Sequence, residues 1–119
     1  MFRSRLSLSG FVLIAALMLS GGTASAEMDT NSANHEISGC RDFLIHESTH
    51  DMFSTGWCAG TVNTLKYMGG GNHCSPSAVT LRQAVLVVVR YIDARPERMH
   101  ENFKELALEA MKAAWPCRR

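Results

Sequence analysis

Apolar residues along the chain fall into separate periodic segments divided by polar, glycine-containing or proline-containing breaks. Ile37, Cys40, Phe43 and Leu44 recur at three- and four-residue spacing, which predicts a first short helix over about 37–48. Phe53, Trp57, Thr61, Thr64 and Met68 form one stripe of a second helix, with Cys58, Val62 and Leu65 beside it. Gly56 and Gly60 share a face of that helix. Glycine inside a helix costs about 1 kcal/mol relative to alanine, so the pair predicts a neighbouring backbone passing close. The run Gly69-Gly70-Gly71 ends the helix and opens a mobile loop whose far end is pinned by Cys74. Thr80-Leu81-Arg82-Gln83 has the form of a capping box before an apolar run and places a third helix over about 81–94. The β-branched stretch from Ala84 to Val89 also fits a buried strand; length and the cap favour a helix. Pro96 stops it. A fourth helix is expected from Glu97 to Trp115, with Met99, Phe103, Leu106, Ala110, Ala113 and Ala114 inward. Glu101, Lys104, Glu105, Glu109 and Lys112 form the opposite, solvated stripe. The expected fold is all-α, a small four-helix domain. Leu108, Met111 and Trp115 make a second stripe on the last helix, either a dimer face or extra core.

The start of the chain carries a different pattern. Arg3 and Arg5 precede an unbroken apolar run from Phe11 to Leu19, and Ser20-Gly21-Gly22 and Ala24-Ser25-Ala26 follow, the layout of a signal peptide. Cleavage is expected before Glu27, because a run of this length is too short for a bilayer core, which takes about 20 residues. The expected organisation is a cleaved signal peptide over 1–26, a polar flexible lead over 27–36, and a single helical domain over 37–119. The formal net charge of +1 becomes about −1 once Arg3 and Arg5 are removed. That balance points neither to nucleic acid nor, after cleavage, to a membrane surface.

Four cysteines in a short exported chain read as two disulfides. Pairing the first two helices about a turn near Asp51 sets Cys40 opposite Cys58, and the same construction about Arg95 and Pro96 sets Cys74 opposite Cys117. This pairing is favoured over Cys58 with Cys74 and Cys40 with Cys117; sequence leaves both open.

One segment imitates an enzyme. His46-Glu47-Ser48-Thr49-His50 is a literal H-E-x-x-H, in which two histidines one turn apart bind zinc and the glutamate activates water. Zinc proteases carry it within a long buried helix and draw a third ligand from further along the chain. Here Ser48 and Thr49 occupy the middle, Asp51 follows, and no third ligand stands out, although His73 is a weak candidate for adventitious zinc. Gly69-Gly70-Gly71 lacks the lysine or the preceding strand of a nucleotide loop. No catalytic, cofactor-binding or metal-binding residue is therefore assigned, and the chain is expected not to be an enzyme.

Trp57-Cys58-Ala59-Gly60, Cys74-Ser75-Pro76 with Val79-Thr80, Tyr91, Arg95-Pro96-Glu97 and Ala113-Ala114-Trp115-Pro116-Cys117 together resemble the Rap/Tai family of periplasmic immunity proteins. The resemblance spans Cys40 to Cys117. Thr61, Ser75 and Ala78 depart from it, standing where the family often has an aromatic, an apolar residue and a glycine. It implies an all-helical domain, often a homodimer, that inhibits a peptidoglycan amidase toxin delivered by type VI secretion by plugging its active site with a loop. The loop from Gly69 to Ser77 is the expected contact surface, with Gly70, Gly71, Asn72, His73 and Ser75 as candidate partner-binding residues. A different class competes with this reading: a periplasmic binding or acid-stress chaperone-like helical protein, which would suppress aggregation of unrelated clients.

Overall fold

In a computed structural model, residues 29–45, 51–68 and 71–118 are described. They form four helices: α1 (Ala33–Ile45), α2 (Met52–Met68), α3 (Leu81–Asp93) and α4 (Phe103–Ala114), with a 3₁₀ turn over Pro96–Arg98. No strand occurs among the described residues. The fold is all-α, as the spacing predicts. α1 packs most extensively on α2 and α3 on α4, and the two hairpins close on one core.

The core is built from the helical periodicity of short and branched apolar side chains. α3 contributes Ala84, Val85, Val88, Val89 and Ile92; α4 contributes Phe103, Leu106, Ala107, Ala110 and Met111. These spacings settle the choice between strand and helix for the valine run, and the cap acts as expected: Thr80 accepts a hydrogen bond from the Gln83 amide at 3.1 Å. α4 is rotated relative to expectation. Ala113 and Ala114 are exposed, while Met111 is fully buried and Trp115 packs against the core, so the second stripe of this helix is mainly core.

The starts of α1 and α4 differ from the sequence reading, for one shared reason. α1 begins at Ala33, inside the segment expected to be a flexible lead, and Ser32, Ala33 and Glu36 are buried. α4 begins at Phe103 rather than near Glu97. Residues 31–34 and 99–103 clamp each other: the Phe103 amide donates to Asn31 O at 2.8 Å, Ala33 to Glu101 O at 2.9 Å and Asn34 to Met99 O at 2.8 Å. The first amides of a helix lack partners within it, and here the segment leading into each helix supplies acceptors for the other. Asn102 completes the α4 cap by accepting from the Lys104 and Glu105 amides.

The disulfides are Cys40–Cys58 and Cys74–Cys117, the favoured pairing, with Cα separations of 5.2 and 4.9 Å. Each stabilises a domain of this size by about 2–4 kcal/mol. The first lies at the crossing of α1 and α2, where Gly39 lets the helices touch: a Cβ there would stand 2.2 Å from the Ser54 carbonyl oxygen. The close backbone approach expected at Gly56 and Gly60 occurs instead at Gly39. A Cβ at either Gly56 or Gly60 would meet nothing within 4 Å.

Candidate functional site

Two surfaces stand apart from the packed core. The first is the loop after α2. Gly71 has φ of 85°, a left-handed conformation that glycine adopts without strain, and it turns the chain so that His73 points inward. His73 is 7% exposed, and its Nε2–H donates to the Leu65 carbonyl in the last turn of α2 at 2.9 Å. Its Nδ1 is buried and unpartnered. The Cys74 amide donates to the Trp115 carbonyl at 2.8 Å, and the Cys74–Cys117 bond ties the same point to the chain end. Val79 is buried and its amide donates to the Pro76 carbonyl.

The loop is therefore held at His73, Cys74 and Val79. Gly71 and Asn72 are exposed just before these anchors and Pro76, Ser77 and Ala78 between them, and Ser75 is half-buried. Of the candidate contact residues, Gly71 and Asn72 present their surfaces outward, whereas His73 holds the loop down. Gly70 lies outside the described residues. An inward histidine could not be foreseen from the polar composition of the loop, because its partner is a helix-end carbonyl eight positions earlier.

The second surface is the outer side of α2. Cys58 and Val62 face the core, yet Met52, Phe53, Tyr67 and Met68 are more than 70% exposed and Trp57 is 40% exposed. The predicted stripe of Phe53, Trp57, Thr61, Thr64 and Met68 is thus the outward face rather than the buried one. A groove of about 440 Å³ runs along it, floored by Gly56 and Gly60 and walled by Trp57, Thr61, Thr64, Leu65 and Lys104. The Lys104 ammonium sits 5.6 Å from the Trp57 ring centroid, bringing the first turn of α4 to the rim.

Charge is organised elsewhere, on the flank of α4. Arg98 donates to Glu109 at 2.7 Å and to Glu101 at 2.7 and 2.8 Å, and the Tyr91 hydroxyl donates to Glu109 at 2.9 Å. Hydrogen bonding from Arg98 holds both carboxyls below the ordinary glutamate range, with Tyr91 adding to the effect at Glu109. The two glutamates in turn push the Arg98 guanidinium further up. Glu101 and Glu109, read from sequence as members of a solvated stripe, instead converge on one cation. Arg95 stacks 3.6 Å from the Tyr91 ring centroid, which gives this tyrosine and arginine a structural role.

The H-E-x-x-H residues His46, Glu47, Ser48, Thr49 and His50 lie outside the described residues. Among the described residues, no group of three or more histidine, cysteine, aspartate or glutamate side chains is placed to hold a metal ion. No described helix is long and apolar enough to cross a membrane. What these surfaces offer is contact: a pinned loop with a polar tip, and an apolar helix face.

Residues 30–117 match the family described as Rap1a immunity proteins. No curated protein and no solved structure gave a match.

Proposed function

The chain belongs to the Rap1a immunity protein family, and from that premise we propose that it protects its cell by binding and inhibiting a peptidoglycan amidase toxin delivered by type VI secretion. It acts in the periplasm, without catalysis, after removal of the leader over residues 1–26. The family match carries the reading, and the loop over 71–77 supports it. A loop whose His73, Cys74 and Val79 are already fixed has little conformational freedom left to lose, so less ordering cost opposes association. Asn72 at its tip is the contact residue we assign.

The outer face of α2 fits pairing with a second copy of the chain. Gly56 and Gly60 leave the backbone bare on either side of Trp57, so two such helices can approach about a two-fold axis, burying the same patch on both subunits. The same apolar face is also what a client-binding chaperone would present, and the two readings part on measurement. An immunity protein should ignore unfolded clients and form a discrete dimer; a chaperone should suppress their aggregation.

The decisive experiment incubates the oxidised protein with secreted proteins, identifies what it captures, and assays peptidoglycan hydrolysis. Recovery of an amidase whose activity the protein abolishes is the expected result. Capture of only a diffuse set of unfolded clients replaces immunity with the chaperone reading. Unchanged inhibition by Asn72→Arg removes the loop from the interface.

A further inference from the structure

The two disulfides occupy opposite chemical environments. Cys40 and Cys58 are both 0% exposed, each on a helix, beside the backbone contact between Gly39 and Ser54. Cys74 is exposed and Cys117 half-buried, and both lie in irregular segments at the surface. Thiol–disulfide exchange requires a thiolate to reach one sulfur directly, so access governs rate. Reaching Cys40–Cys58 requires α1 and α2 to separate, which opens the core; reaching Cys74–Cys117 requires no such opening.

We propose that Cys74–Cys117 is a redox-labile clasp, opened by dithiol reductants of the thioredoxin-like class while Cys40–Cys58 stays closed, and that opening it releases residues 71–77 and the chain end from each other. A reductant thiolate attacks the Cys74 sulfur, the sulfur–sulfur bond breaks, and Cys117 leaves as a thiolate that takes up a proton. The second reductant thiol then displaces Cys74 from the mixed disulfide. The protein gains two electrons and two protons, and the reductant becomes a disulfide.

Among the described residues the clasp is the only disulfide joining the loop to the segment that follows α4. Once it opens, the Cys74 amide bond to Trp115 and the His73 bond to Leu65 are the polar restraints left on this part of the loop. Opening it gives up the stabilisation that this cross-link adds across α3 and α4, while the covalent link between α1 and α2, the buried bond, stays closed. That opening weakens partner binding rests on the immunity reading above; the order in which the bonds open does not.

The test exposes the oxidised protein to a graded series of dithiothreitol under native conditions, quenches with iodoacetamide, and reads each cysteine by mass spectrometry. Amide hydrogen exchange is followed in parallel. The expected result is alkylation of Cys74 and Cys117 at a rate at least tenfold that of Cys40 and Cys58. Faster exchange should then appear over residues 71–77, with protection in α1 and α2 retained. A rate ratio below tenfold, or loop exchange that rises only together with that of α1 and α2, overturns the proposal. Neither readout involves a toxin, so failure here leaves the immunity reading standing, and failure of immunity leaves this result standing.

Discussion

α4 and α2 bury apolar surface in opposite ways. α4 turns its large apolar side chains Phe103, Leu106 and Met111 into the core, and its outer flank joins the Arg98–Glu101–Glu109 cluster through Glu109. α2 has two apolar stripes: Cys58 and Val62 inward, Phe53, Trp57 and Met68 outward. A helix satisfied on one side needs only its domain, whereas a second, exposed apolar face supports the proposed pairing with a second copy. The contrast places the larger part of the core in one hairpin and the proposed contact face on the other.

That division can be broken by substitution. Leu106→Ala removes a fully buried side chain from α4 and is expected to cost about 3 kcal/mol in urea unfolding. A loss below about 1 kcal/mol would mean that α4 is not the anchor. On α1, where the chain meets the inner side of α2, Gly39→Ala forces the α1–α2 crossing apart and should cost about 2 kcal/mol. The outer glycine behaves with the reverse sign: Gly60→Ala meets no neighbour and should stabilise the monomer by about 0.7 kcal/mol through helix propensity. The same change should weaken self-association, as read by sedimentation equilibrium.

The polar flank of α4 gives a pH test. Glu101 and Glu109 have folded pKa values below their ordinary ones. Their contribution is therefore present above the ordinary glutamate value of about 4.3 and is lost as pH falls through the lowered folded values. Arg98→Met should flatten the acid limb of a stability–pH curve and leave its shape near neutrality unchanged. An acid limb unaltered by the substitution would assign acid sensitivity to other carboxyls, Asp51 first among them: hydrogen bonds from Ser54 lower its pKa as well. The smallest effect on stability is expected from Phe53→Ser on the exposed face, within about 0.5 kcal/mol, accompanied by loss of the proposed self-association. Substantial destabilisation would show that Phe53 supports the fold rather than an interface.

How much of this was legible in the sequence depended on how local its cause was. α3 could be read in full, because Thr80 and Gln83 lie three positions apart and the valine run carries its own period. Hairpin geometry favoured the observed disulfide pairing but left the alternative open. The starts of α1 and α4 could not be read, since the Phe103 amide finds its acceptor at Asn31 and the Ala33 amide at Glu101, about seventy positions away. Gly39 carried no local sign of its role, which depends on the Ser54 carbonyl of another helix. At the candidate site, the glycines announced a loop, but nothing nearby indicated that His73 would turn inward toward Leu65. On α2 both stripes are apolar, so periodicity alone could not say which one faces out.

The clamp between residues 31–34 and 99–103 also sets a timetable. A chain made from its N-terminus can bring α1 and α2 together while the last helix is still absent, yet the opening amides of α1 at Ala33 and Asn34 wait for carbonyls supplied by Glu101 and Met99. Bringing together ends so far apart is entropically slow. A chain interrupted before residue 99 lacks those carbonyls, and its first helix keeps a frayed first turn however well its first disulfide has formed.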